Sequence, residues 1–139
     1  YNLERELDQA LQEKIWLNSG GFLIIQQTEA FVAIDVNTGK HSSKKDAEEN
    51  YKLINREAAL EIARQLRLRN LSGMILVDFI NMKNTNDQSE LLQYMGSLVR
   101  SDPMQTVVVD VTALGIMEIT RKKSAKTLAE QLLQLKKGE

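Results

Sequence analysis

Asp35 and Asp78 are the residues of this sequence whose type and setting point most directly to chemistry. Asp35 stands in Ala33-Ile34-Asp35-Val36-Asn37-Thr38-Gly39-Lys40, near the end of an apolar run. A carboxylate at a strand end lies at the rim of a sheet, where open α/β sheets gather ligands. Pointed into a core it would need a partner, because an unpaired buried charge is costly. A turn-forming aspartate fits the same pattern, since Asp and Asn bond locally to turn backbone. Asp78 closes the most buried-looking run, in Val77-Asp78-Phe79-Ile80-Asn81-Met82. Two strand-end aspartates converge if their strands are neighbours. Magnesium takes one or two protein carboxylates and completes its shell with water and phosphate oxygens. A metal so held polarises a phosphate and activates water. The plainer reading is that Asp78 ends its strand and bonds the next loop.

Other chemistries find less support. His41 is the one histidine, and a lone loop histidine is usually solvated. No histidine partners a serine, which argues against a hydrolase triad. Gly20-Gly21 and Gly39-Lys40 lack the spacing of a phosphate-binding P-loop. Basic residues gather at Arg64, Arg67 and Arg69, and again at Arg121, Lys122, Lys123 and Lys126. Such charges bind nucleic-acid backbones with strong salt dependence, and equally make a solvated helix face. The Arg121 group, adjoining a strand end, is the better candidate for contact with a polyanion. Glu118 and Asp110 alternate with apolar neighbours and read as structural, facing solvent. Aromatic residues are few, and Phe79 beside Asp78 fits either a base-stacking role or, more simply, the core.

The elements that must position these residues follow from periodicity. Leu3, Leu7, Leu11 and Ile15 recur every four residues and predict a helix over residues 1–15. Asn18-Ser19-Gly20-Gly21 is a turn. Phe22–Ile25 and Ala30–Val36 flank a polar turn and read as a β-hairpin, followed by a loop over residues 37–46. A long helix over about 47–69 carries Ala58, Ala59, Ile62, Ala63 and Leu66 as its apolar stripe. Met74–Val77 reads as a strand buried on both faces. A helix over about 86–100, strands at 106–111 and 116–120, and a helix over about 124–136 complete the pattern. Strands and helices that mostly alternate, with hairpins at both ends, predict an α/β domain: a mixed β-sheet with helices packed on its faces.

Composition bounds the possibilities. The 139 residues fit one domain, and 42% apolar with 27% charged residues fits a globular protein. No apolar run approaches the ~20 residues that span a bilayer. The absence of cysteine excludes disulfides and thiolate zinc sites within these residues and is compatible with the cytoplasm. A net charge of −1 argues mildly against a stand-alone RNA-binding module. The first residue is Tyr1, so a longer parent chain is expected.

Two long stretches resemble the ribonuclease E/G family. One runs from Gly20-Gly21-Phe22 through Gln27-Thr28-Glu29-Ala30 into Ile34-Asp35-Val36-Asn37-Thr38-Gly39-Lys40. The other includes Glu57-Ala58-Ala59 and Glu61-Ile62-Ala63-Arg64-Gln65-Leu66-Arg67-Leu68-Arg69-Asn70-Leu71, and reaches Val77-Asp78-Phe79-Ile80. A weaker match spans Leu114 to Lys122. The ordered similarity covers nearly all of residues 12–123. It implies a DNase I-like catalytic subdomain over residues 1–139, with Asp35 and Asp78 as magnesium ligands (manganese suits the same oxygens) and Asn37 organising the scissile phosphate. It further implies hydrolysis of single-stranded RNA to 5′-phosphate and 3′-hydroxyl ends, in RNA processing and messenger decay. Lys40, Arg64, Arg121 and Lys122 are the residues expected to contact RNA.

The pattern departs from the family at Asn81, where relatives usually carry a second aspartate. The family's S1 and 5′-sensor domains, and the cysteine pair that shares zinc between subunits, do not occur within these residues. The chain is therefore expected to act with those domains, as a homo-oligomer in one option, and to be weakly active or inactive alone. The rival reading is a non-catalytic RNA-binding or assembly module that retains the nuclease fold.

Overall fold

The structure, a computed structural model, describes residues 12–39 and 47–123. Along the chain come β1 (Gln12–Trp16), β2 (Phe22–Gln27), β3 (Val32–Asn37), α1 (Ala47–Leu68), β4 (Gly73–Asp78), α2 (Thr85–Arg100), β5 (Thr106–Val111) and β6 (Met117–Arg121). The strands make one six-stranded sheet in the order β1-β2-β3-β4-β6-β5. β3 and β4 are parallel, and the other neighbouring pairs are antiparallel. This is the expected mixed α/β sheet, with α1 as the crossover that a parallel pair requires.

The core occupies one side of the sheet. Leu23 and Ile25 of β2, Val32, Ile34 and Val36 of β3, Ile75 and Val77 of β4, and Met117 and Ile119 of β6 alternate with less buried residues. They share one cluster with Ile54, Ala58, Ile62 and Leu66 of α1 and Leu91, Met95 and Val99 of α2. Both described helices therefore pack on the same face. α1 has acidic residues in its first turn and Arg67 in its last, matching the helix dipole. It stops at Asn70, whose φ of 49° is left-handed, while the Leu71 N–H donates to the Leu66 carbonyl at 3.0 Å. Asn84 caps α2 by accepting from the Asn86 and Asp87 amides. No helix among the described residues is long and apolar enough to cross a membrane.

Two sequence expectations are corrected. Gln12–Trp16 is a strand paired with β2, not the end of a helix. The four-residue spacing of Leu3, Leu7 and Leu11 continues to Ile15 and so imitates a helix across the strand. From Glu13 onward the residues alternate between faces, and Ile15 reaches the core as a strand residue. Pairing supplies β2 with backbone partners that a helix could not offer. The strand at Met74–Val77 is buried on one face only: Ile75 and Val77 are fully buried, whereas Met74 is exposed. Residues 1–11, and the helix expected over 124–136, lie outside the described residues.

At the N-terminal end of β4 a polar knot ties four elements together. Arg121 is only 4% exposed. Its Nε and Nη2 donate to the Asp102 carboxylate at 2.8 and 3.2 Å. Its Nη1 donates to Asn70 Oδ1 at 2.9 Å and to the Leu71 carbonyl at 3.0 Å. Burial by itself pushes the Asp102 carboxyl up. The hydrogen bonds from Arg121, the Met104 amide and Thr106, with the Arg121 charge, outweigh that and hold it below the usual carboxylate range. A depressed carboxylate stabilises the fold above its unfolded value of about 4 and loses that contribution as pH falls through its folded value. Arg121→Met should cost about 3–5 kcal/mol at neutral pH, because it strands a buried charge. Without the guanidinium, Asp102 loses its largest lowering partner and its carboxyl rises from the wild-type value, so the deficit should shrink on acidification from pH 7 to pH 5. Urea unfolding at both pH values checks this. A midpoint equal to wild type, or a deficit that widens at pH 5, contradicts it.

Candidate metal centre

The parallel register of β3 and β4 pairs Val32 with Ile75, Ala33 with Leu76, Ile34 with Val77, and Asp35 with Asp78. Val32, Ile34, Ile75 and Val77 point at the helices. By alternation, Asp35 and Asp78 share the opposite face, which no described helix covers and which is called the open face below. Neighbouring strands lie ~4.8 Å apart, so two carboxylates start from adjacent backbone positions on one surface. Asn37 is two residues beyond Asp35 on the same face, and its Nδ2 donates to Asp35 Oδ2 at 3.3 Å. Asp78 remains accessible to solvent. Even so, partial burial and, secondarily, the Asp35 charge hold its carboxyl above the usual range.

The donor chemistry fits a hard cation. Two carboxylates and a nearby amide offer oxygen, and no cluster of three or more His, Cys, Asp or Glu able to hold a metal occurs among the described residues. A site with two carboxylates leaves most positions to water and substrate oxygens, as magnesium prefers, and does not make an all-protein calcium cage or a zinc tetrahedron.

Two supports hold the strand ends. Asn55, fully buried on α1, reaches the segment just after Asp78. Its Nδ2 donates to the Ile80 carbonyl at 2.8 Å and its Oδ1 accepts from the Ile80 amide at 2.9 Å. One side-chain amide thus satisfies both backbone groups, as a neighbouring strand would. Beyond Asn37, Gly39 has a φ of 69°, and a Cβ there would collide with the Gly20 carbonyl. A Cβ on Gly21 would lie 2.8 Å from the Asn37 carbonyl. The Gly20-Gly21 turn and the end of β3 can approach only because these positions are glycine.

The residues expected to form the site separate into two groups. Asp35, Asn37 and Asp78 come together. Arg121 pairs in register with Gly73, at the other end of β4 from Asp78, roughly 17 Å away along the strand. It lies on the helix face, and its Nε, Nη1 and Nη2 all donate to groups within the protein, away from the carboxylate pair. Its place in Met117-Glu118-Ile119-Thr120-Arg121 is an inward one, set by the strand period. Arg64 is exposed, pairs with Glu61 at 3.3 Å, and lines a surface depression with Arg67 and Arg121 at that distant end. Lys122 follows there, exposed. Lys40 and His41 lie outside the described residues. Phe79 is buried, in the core. Asn81 is exposed and, with Asp78, Gln88 and Leu114, lines a cleft of ≈ 260 Å³ beside the carboxylates. Glu118 pairs with Leu76, and Asp110 pairs with Glu118. Asn55 was not anticipated. The signal was present, because it falls on the buried stripe with Ile54, Ala58, Ala59 and Ile62 where an apolar residue is expected.

A profile of the Ribonuclease E/G family matches residues 1–124. The chain belongs to the ribonuclease E/G family. It is 40% identical over 130 residues to the Ribonuclease E of Nostoc sp., covering 94% of this chain and 19% of that protein. It is 39% identical over 132 residues to the Ribonuclease G of Escherichia coli, covering 95% of this chain and 27% of that protein. The Ribonuclease G of Haemophilus influenzae is 40% identical over the same length and coverage. The chain thus spans about a fifth to a quarter of the length of these ribonucleases.

Within this member of the ribonuclease E/G family, Asn55 ties α1 to the segment that follows Asp78. Asn55→Ala leaves the partly buried Ile80 N–H and carbonyl without their side-chain partners and should destabilise the protein by about 2–4 kcal/mol. Urea unfolding of the variant measures it. A loss below about 1 kcal/mol would show that the Ile80 backbone finds other partners.

Proposed function

We propose that this chain is the metal-binding catalytic subdomain of an endoribonuclease that hydrolyses single-stranded RNA, leaving 5′-phosphate and 3′-hydroxyl ends, in RNA processing and decay. The observation that carries the reading is the register of Asp35 opposite Asp78 on a sheet face that no described helix covers, with Asn37 bonded to Asp35. Asp35 and Asp78 would hold magnesium; manganese suits the same oxygens. When bound, the metal supplies Lewis-acid polarisation of the phosphate and activation of water. Asn37 orients the Asp35 carboxylate, and the amide hydrogen not used for that bond is available to a phosphate oxygen. The open face admits an extended polymer, where a deep pocket would admit a small molecule. Water enters on phosphorus and the ribose 3′-oxygen leaves, so the 2′-hydroxyl is not the nucleophile.

Removing a supporting partner of a metal site already costs 10–100-fold, so Asp35→Asn and Asp78→Asn should each lower cleavage by the complete enzyme by roughly 100-fold or more. The same substitutions should stabilise the metal-free protein at neutral pH, by no more than about 1 kcal/mol because both groups meet solvent. The sign follows from Asp78. A carboxyl raised in the folded state loses stabilising contribution as pH rises through its folded value, and an amide removes that loss. Cleavage assays with thermal melts, with and without magnesium, test both. Magnesium should raise the melting temperature of the wild type and not of the variants. Full cleavage by both variants would sink the catalytic assignment and favour an RNA-binding or assembly module on the same fold.

A further inference from the structure

The open face carries a grouping that hydrolysis at Asp35 and Asp78 does not use. Trp16, the single tryptophan of the sequence, is 63% exposed. Its ring centroid lies 5.1 Å from that of Phe22, with the planes tilted by 55°. The Lys14 ammonium stands 4.3 Å from the Trp16 centroid and 4.1 Å from the Phe22 centroid. Lys14 and Trp16 flank the core-packed Ile15, so both point away from the helices. Phe22 is the register partner of Asn37, and Ile24 that of Asp35. Trp16 pairs with Phe22 in turn. The aromatic pair therefore shares the face of the carboxylates, with the backbone of Trp16 two strands, roughly 10 Å, from that of Asn37.

We propose that Trp16 and Phe22, with Lys14, form a stacking platform for a nucleobase of the RNA strand whose phosphate lies at Asp35 and Asp78. The proposal rests on the nuclease reading and adds a substrate subsite to it. An exposed indole offers a flat π-face to any base, which makes such stacking tolerant of sequence. Lys14 supplies the positive charge that this stretch of the open face presents to a polyanion, beside a row of carboxylates that would otherwise repel it. A duplex hides its base faces within the stack, so the platform selects unpaired RNA.

The single tryptophan reports directly on its own stacking. The chain is titrated with a short oligoadenylate in magnesium-free buffer, with an abasic strand of equal length, and with the same RNA annealed to its complement. Saturable quenching of Trp16 fluorescence is expected with the single strand alone. Fluorescence anisotropy of labelled oligoadenylate should show about tenfold or more weaker binding for Trp16→Ala and nearly unchanged binding for Trp16→Phe. The exposure of Trp16 makes the alanine variant tolerable to the fold, and the phenylalanine variant controls for it. No quenching at saturating RNA, equal quenching by the abasic strand, or unchanged affinity in Trp16→Ala overturns the platform. The titration is repeated with Asp35→Asn, which should keep the quenching. Quenching lost while Asp35 remains essential for cleavage discards the platform and leaves the nuclease reading intact. Quenching retained while cleavage ignores Asp35 discards the nuclease reading and leaves the base-binding surface.

Discussion

The parallel register between β3 and β4 is the constraint on which the site depends. It brings two like charges to neighbouring positions, which electrostatics alone would oppose. Apolar packing enforces it. Val32 with Ile75, and Ile34 with Val77, occupy the helix face directly beneath, all buried. A slip of one residue would rotate an aspartate into that core and a valine or isoleucine out of it. Burying a side chain of this kind is worth about 1.5–3 kcal/mol, and several act together. The repulsion between two solvated carboxylates is smaller, on the order of 1 kcal/mol in a water-like dielectric. The core therefore wins, and the fold presents a pair of carboxylates whose repulsion a cation would relieve.

The sheet has two ends with different work. At the C-terminal ends of β3 and β4 the carboxylates meet solvent, and Asn55 steadies the chain beyond Asp78 through the Ile80 backbone. At the other end Arg121 gathers Asp102, Asn70 and Leu71 into a closed network. That network binds the end of α1, the turn after α2 and the last strand. A buried ion pair contributes little net stability over an apolar substitute, but it tolerates no missing partner. Its value here is geometric: it fixes β6 against β4, and β6 in turn places the β5–β6 turn beside Asp78.

Much of this was readable in the sequence, and the failures have identifiable causes. The helices of residues 47–68 and 85–100 follow from a 3.6-residue apolar stripe, and β5 follows from an apolar run of strand length. Asp35 and Asp78 could be placed at strand ends, but spacing alone does not say which strands are neighbours. That information lies in the crossover α1, a tertiary fact. Arg121 was assigned by its company, a run of Lys and Arg, although the alternation of Met117 and Ile119 placed it inward. The strand of residues 12–16 was lost to the four-residue spacing of Leu3, Leu7, Leu11 and Ile15, whose last member lies inside it. Trp16 carried no signal of its own, because its exposure depends on that strand being where it is.

The open face poses an electrostatic problem for any polyanion. Across β3, β4, β6 and β5 it bears Asp35, Asp78, Glu118 and Asp110, and the chain as a whole carries a net charge of −1. The basic residues of the α1 terminus lie at the far end, and Arg121 is neutralised by Asp102. Among the described residues, summed charge therefore does little to bring a phosphate backbone to the carboxylates. Three sources of affinity remain on this surface among the described residues: a divalent cation between Asp35 and Asp78, the Lys14 ammonium, and apolar contact with side chains such as Trp16, Met74 and Val107. Exposed apolar groups of this size are commonly part of an interaction surface. Contact through base faces weakens little with salt, whereas phosphate contacts through Lys and Arg weaken steeply. Only an unpaired, flexible strand can offer bases and a phosphate to one sheet face together, which is why the proposed platform and metal site would favour it over a duplex.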